Sequence, residues 1–440
     1  MPIAYTCMLL KPISYKPNCF YMNQKNKYLF PFIMVTSLFF FWGFIHNLDP
    51  ILIKHLQSAF SLTHVQASLV DSAVFVAYFI MAIPAGIIMQ RYGYKTGILV
   101  GLALFAIGCF LFIPAANTIS YTFFLGSLFV LSCGLTILET AANPYIIVLG
   151  DPAKPTKRLN FAQSFNGLAA TLAPIVGGYF ILAEEPKSQK EILALTDQAR
   201  IAYIQAETSL VKGPYLVLGL VILLVAVIFF FIKLPEIKED DHEGQPSGFL
   251  SALRRKNVRG GVIAQFFYVG AQVYIFSFLL VFAKEVLGMT GQESKIYAGV
   301  AGLLFMIGRF VGSFLMKYIA PSKLLAFYSL AASILILIII FGSGIATLYL
   351  LVATTFFMSI MFPTIFAMGI QDTHADRKPA SSLIIMSIVG GAIIPLIASK
   401  ITDLTKHMQY SYFVVLVCFI IILLFALNSK EKPAVTKATI

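Results

Sequence analysis

Apolar runs of about twenty residues, separated by short polar breaks, recur along the whole chain. A bilayer core about 30 Å thick takes roughly 20 apolar residues as a helix. Against that window the pattern predicts twelve membrane-spanning helices: 29–56, 66–90, 96–115, 120–149, 159–183, 213–233, 260–283, 296–317, 323–342, 345–370, 380–400 and 410–428. The expected fold class is an all-α membrane protein with two six-helix halves. Its divisions are a tail at 1–28, a first half at 29–233, a linker at 234–258, a second half at 259–428 and a tail at 429–440. The linker, LPEIKEDDHEGQPSGFLSALRRKNV, passes from an acidic cluster through a Gly/Pro/Ser break into a basic amphipathic piece.

Composition agrees with lipid rather than water as the solvent. Only 12% of the 440 residues are charged and 59% are hydrophobic, whereas a soluble domain averages about 25% charged. The net charge of +12 does not call for nucleic acid, because Lys and Arg of membrane proteins gather on the cytoplasmic side. An even number of spans puts both termini on one face. With the N-terminus inside, the inner side carries 22 Lys/Arg and the outer side 9, so both tails are expected in the cytoplasm. Residues 1–28 lack the apolar core and cleavage site of a signal peptide. Met22 is a natural start just before the first span, so residues 1–21 read as an upstream misassigned start or a disordered tail.

Several classes of chemistry drop out. The five cysteines show no paired spacing, so neither a disulfide framework nor a metal site is expected. No GxxxxGK[ST] loop and no HExxH motif occur, so no ATP-driven step, no zinc chemistry, no cofactor and no enzyme activity are expected.

The halves repeat weakly. Gly86-Ile-Ile-Met-Gln-Arg-Tyr92 ends span two, and Gly312-Ser-Phe-Leu-Met-Lys-Tyr318 ends span eight, 226 residues later. Asn166, Ala169, Ala170 and Pro174 of span five find Ser387, Gly390, Gly391 and Pro395 at an offset of 221. Internal repeats of this kind mark transporters whose substrate site lies near the midplane, between the repeats.

The polar residues inside the spans are the functional candidates. Glu139 is the single charge between Ala115 and Gly150. A carboxylate at bilayer depth costs at least ~2.5 kcal/mol, so it faces protein or a wet cavity. Asn143 follows one turn later on the same face, and Pro144 loosens the helix by removing a donor. The plain alternative for Glu139 is a structural acid bonded to a neighbouring helix. Span one carries His46, Asn47 and Asp49 before Pro50, toward its outer end. Asp49 is a candidate for proton exchange or for structural pairing, and His46 for packing. Asp71 lies at similar depth in span two, where a cap or headgroup position is the alternative.

Span five carries Gln163 and Asn166, three apart on one face. Amides donate and accept, which suits a hydroxyl-rich ligand; helix–helix bonding is the competing reading. Span seven carries Gln265, Tyr268 and Gln272 along one stripe, with Tyr274 beyond. Amides beside aromatics suit a sugar, and aromatics alone would mean packing. Arg309 lies in span eight at a depth similar to Glu139.

Twelve spans, a central linker and a 6+6 repeat resemble the major facilitator superfamily. Its signature loop between spans two and three carries glycine, an acid and basic residues. Here it reads GIIMQRYGYKTG, with Gln90 in place of the acid. That departure, with LETAANPYIIVLG (138–150), RLNFAQSFNGLAA (158–170) and AQFFYVGAQ (264–272), is similar to the sugar:proton symporter branch that contains the L-fucose permeases.

The resemblance implies a proton-coupled symporter that imports a hexose or deoxyhexose across a bacterial inner membrane by alternating access. It implies a monomer whose partners are a monosaccharide, protons and the lipid bilayer. Glu139 matches the branch's membrane glutamate, linked to substrate and proton coupling, and Asn143 follows in the same motif. Gln163 and Asn166 match its sugar-facing positions. Asn47 matches the asparagine of an NNLND stretch whose aspartate aligns with Pro50. Either Pro50 reorients the backbone so that Asp49 serves, or another acid such as Asp71 takes over. The alternatives are an uncoupled facilitator, a non-transporting sugar receptor and a drug exporter of the same fold.

Overall fold

The computed structural model describes residues 18–47, 60, 64–150, 154–181, 195–235, 248–373 and 376–429. Every regular element among them is helical. The first half contains α1 (Asn18–His46), α2 (His64–Asn117), α3 (Tyr121–Val148), α4 (Pro155–Ile181) and α5 (Asp197–Phe231). The short α6 (Phe249–Arg254) leads into the second half: α7 (Lys256–Leu287), α8 (Gly291–Leu315), α9 (Pro321–Phe341), α10 (Ile345–Met358), α11 (Met361–Gly369), α12 (Arg377–Met386), α13 (Gly390–Thr405) and α14 (Met408–Asn428).

Ten helices among the described residues are long and apolar enough to cross a membrane. One of these is two spans in sequence. α2 holds spans two and three, joined at Gly93, whose φ of 81° and ψ of 173° break the helix. A residue with a Cβ is strained there. Span five is α4, which is not among these ten because Lys157, Arg158, Gln163 and Asn166 lower its hydropathy. Spans ten and eleven are each broken: α10 gives way to α11 at Ser359–Ile360, and a 3-10 turn at Ser387–Val389 separates α12 from α13.

Helices run beyond the apolar spans at two places. α1 begins at Asn18, inside the expected tail, because nothing in YMNQKNKY breaks a helix. It ends at His46, and residues 48–59, with Asp49 and Pro50, lie outside the described residues. The basic end of the linker is helical: α6 and the first turn of α7 occupy 249–258.

Local caps fix the helix starts. Ser120 accepts from the Phe123 amide at 3.3 Å to start α3. Thr290 and Glu293 form a reciprocal capping box at the start of α8, satisfying amides that a helix leaves open.

Small residues let α2 and α3 approach closely. A Cβ at Gly134 of α3 would meet the Phe105 amide of α2 at 2.4 Å. One at Gly108 of α2 would meet Leu131 of α3 at 2.5 Å. The two backbones therefore touch, as glycines permit between membrane helices. The corresponding helices of the two halves pack alike, α4 on α1 and α13 on α7. Asn166 of α4 lies against Gly43 of α1, and Gly390 of α13 lies against the Phe266 carbonyl of α7.

One face of the bundle carries the linker. Lys95 of α2 donates to the carbonyls of Phe230 and Ile232, and the Tyr145 hydroxyl to that of Pro235. Asp376, buried before α12, accepts from the Gly248 amide at 3.1 Å, the Ser251 hydroxyl at 3.0 Å and Arg255 Nε at 2.8 Å. On this linker face the halves meet directly. Ser381 of α12 donates to the Thr140 carbonyl at 2.8 Å, and Asn160 of α4 to the Thr364 hydroxyl at 3.2 Å. The Lys378 ammonium stands 5.2 Å from the Tyr94 ring centroid.

Candidate functional site

The α2–α3 contact carries Glu139 into the middle of the bundle, where it is 2% exposed. Its carboxylate hydrogen-bonds the Tyr78 hydroxyl of α2, approaches the Asn143 amide on its own helix, and faces the charge of Arg309. Asn143 Oδ1 accepts from Gln163 Nε2 of α4 at 3.2 Å. Asn143 Nδ2 completes no close hydrogen bond, so its approach to Glu139 is a long one.

Arg309 of α8 reaches across from the second half. One terminal nitrogen donates to the Gln163 carbonyl at 2.6 Å and to Asn166 Oδ1 at 3.0 Å, and stands 3.5 Å from Gln163 Oε1. Its Nε donates to the Ser359 carbonyl at 3.1 Å. Gly167 leaves room for the stem, since a Cβ there would lie 3.3 Å from Arg309 Cδ. The guanidinium also lies 4.5 Å from the Phe305 ring centroid, a favourable place for a cation. No direct ion pair joins Arg309 to Glu139. They are connected through neutral amides, in the order Arg309, Gln163, Asn143, Glu139, Tyr78.

The break in span ten supplies part of this site. A helix interruption frees carbonyls that need donors away from water. Tyr268 donates to the Met358 carbonyl at 3.1 Å, and Arg309 takes that of Ser359.

The family model described as Major Facilitator Superfamily matches residues 32–386. The chain belongs to the Major Facilitator Superfamily. The L-fucose-proton symporter of Escherichia coli (strain K12) is 40% identical over 411 residues, 92% of this chain and 94% of that one. The glucose/galactose transporter of Brucella abortus is 39% identical over 412 residues, 93% and 96% of the two chains. A crystal structure of the E. coli fucose:proton symporter superposes with a TM-score of 0.85 at 38% identity, over 92% of this chain and all of that one. A proton:xylose symporter, 14% identical with a TM-score of 0.67, shares the fold alone.

Within this major facilitator chain the sequence candidates fall into three groups. Glu139, Asn143, Gln163 and Asn166 are brought together. Gln265 and Tyr268 are wholly buried, with Tyr268 turned to the span-ten break and neither polar atom of the Gln265 amide partnered. Gln272 is half-buried on the same helix, and Tyr274 bonds Ser411 of α14 inside the second half. The stripe expected along span seven is therefore mostly interior.

The third group is described only in part. Asn47 turns back on its own helix, its amide donating to the Gly43 carbonyl at 2.6 Å. Asp49 lies outside the described residues. Asp71 belongs to the first part of α2.

Tyr78 and the part played by Arg309 escaped sequence reasoning. A tyrosine in an apolar run looks like any packing aromatic. Arg309 was visible as a charge, but its partners stand 146 and 143 positions away.

Proposed function

We propose that this protein is a proton-coupled symporter that imports a monosaccharide, L-fucose or a related hexose, by alternating access. The observation that carries the reading is the buried chain from Arg309 through Gln163 and Asn143 to Glu139. It sets an ionisable acid among amides, between two halves that move relative to one another in this mechanism. The names of the relatives, an L-fucose-proton symporter and a glucose/galactose transporter, support the same chemistry.

In this reading the linker face is cytoplasmic, both tails lie inside the cell, and the chain works as a monomer in a bacterial inner membrane. With the linker face closed, the protein awaits substrate from outside. A proton enters at Asp49 or Asp71, and sugar binds between the halves against Asn47, Asn143, Gln163, Asn166, Gln265, Tyr268 and Gln272. Closing a cavity over an ionised carboxylate costs its hydration; a bound proton removes that cost. Glu139 ties the two events together, because a sugar hydroxyl that engages Asn143 competes for the amide that approaches the carboxylate. The halves then rock, sugar leaves inward, and the rehydrated acid releases its proton. The membrane potential assists at about 2.3 kcal/mol per charge per 100 mV.

A second reading, an uncoupled facilitator, is favoured by the one-residue displacement of Asp49 from the position of the branch's aspartate, now Pro50. Uptake of labelled hexoses and deoxyhexoses into proteoliposomes separates the two. Symport requires accumulation of one sugar above equilibrium only with an inward proton gradient. Uptake that ignores the gradient makes the protein a facilitator, and no uptake of any sugar rejects transport of this class.

A further inference from the structure

Away from the central site, the start of α7 and the end of α14 enclose a groove of about 360 Å³. Lys256, Asn257 and Arg259 line its end at the linker face, and Ile263, Leu424 and Phe425 line its deeper part. Phe425 packs on Gly260 in its wall, where a Cβ would meet the ring at 2.9 Å. Lys256 and Arg259 stand one turn apart on the same helix face. Both are exposed, and neither meets a carboxylate among the described residues. The neighbouring Arg255 is already spent on Asp376. Ile263 and Leu424 are each 52% exposed on the side that faces lipid.

The order along the groove is two cations, an amide, then aliphatic and aromatic wall. That is the order of an anionic phospholipid entered from the side: phosphate, glycerol, acyl chain. We propose that this groove binds an anionic phospholipid, with Lys256 and Arg259 on its headgroup and an acyl chain along Ile263, Leu424 and Phe425. Basic residues at the membrane surface attract such headgroups, and basic recesses between spans hold them. The chain's own continuation beyond Ser429, KEKPAVTKATI, carries three lysines and one glutamate. Its side chains are thus predominantly of the groove's own sign, which argues against it as the occupant.

Native mass spectrometry of the full chain, with equal phosphatidylglycerol and phosphatidylcholine, tests this. The wild type is expected to retain phosphatidylglycerol in preference. The double variant Lys256→Gln/Arg259→Gln should lose that preference by about fivefold per cation removed. The exchange Lys256→Arg/Arg259→Lys should keep it, and both side chains are exposed, so an unaltered melting temperature confirms intact folding. An unchanged preference in the double variant would overturn the proposal, as would no preference in the wild type. Displacement of the lipid by millimolar inorganic phosphate would make this a free-anion site. A gain in lipid binding on removing residues 430–440 would make the tail its occupant.

Discussion

Arg309 of α8 donates to the main-chain carbonyl of Gln163 on α4 at 2.6 Å, joining the second half of the chain to the first. The same guanidinium holds the Ser359 carbonyl at the break in span ten. One side chain thus links the inter-half boundary, the discontinuous helix and, through Gln163 and Asn143, the buried Glu139.

Replacing Arg309 by alanine leaves three acceptors without their donor. Hydrogen bonds to a charged donor are each worth about 1.5–3 kcal/mol, and an orphaned buried acceptor adds its own cost. Burying the guanidinium costs hydration that alanine regains, so Arg309→Ala is expected to destabilise the protein by a net of roughly 3 kcal/mol, less than the sum of its bonds. Arg309→Lys should recover only part of it, because a single ammonium cannot span the Ser359 and Gln163 carbonyls together. Melting temperatures of purified protein in detergent check the order wild type, lysine, alanine.

Glu139→Gln removes the ionisable group while keeping its size and its bond to Tyr78. Sugar exchange across vesicles should persist, and accumulation driven by a proton gradient should vanish. Exchange by the wild type should quicken as the pH falls, because protonation removes the charge that must otherwise be buried. In the glutamine variant the pH dependence should be weaker, reduced to what Asp49 or Asp71 contributes. Wild-type accumulation by Glu139→Gln would reject Glu139 as the coupling acid.

Gly134 and Gly126 lie on the same helix in different surroundings. A Cβ at Gly134 meets the Phe105 backbone at 2.4 Å, whereas one at Gly126 meets nothing within 4 Å. Gly134→Ala should therefore push α3 off α2, displace Glu139 from Tyr78 and lower the melting temperature and uptake together. Overpacking of this kind typically costs about 1–3 kcal/mol. Gly126→Ala should be neutral or slightly stabilising, and parallel thermal and uptake assays decide.

Asp376 fastens α6 to the loop before α12 through three donors, one of them Arg255. Asp376→Ala leaves that cluster without its acceptor, so the linker helix should fray. Amide hydrogen exchange across 249–258 should rise, with little change within α9 or α14. Equal protection in variant and wild type would show that other contacts of α6 suffice.

Much of this was legible in the chain alone. The twelve apolar runs, the polar linker and the isolated Glu139 follow from a rule that needs no neighbour: lipid admits backbone only as hydrogen-bonded helix, and charges there are rare. Asn143, and the pairing of Gln163 with Asn166 on one face, follow from helical spacing. What spacing cannot supply is which faces meet. Gly101, Gly108 and Gly134 seat α3 on the part of α2 after Gly93, and the break at Gly93 returns the part before it, with Tyr78, to Glu139. Arg309 finds Gln163 and Asn166 because α8 crosses α4 at Gly167. Pro363 marks the break in span ten, since it cannot donate to the Ser359 carbonyl four residues earlier, but only packing decides that Tyr268 and Arg309 supply the missing donors there. Helix periodicity is local, so it orders residues along one span. The chemistry here is made between spans, where only packing brings an arginine and an amide together.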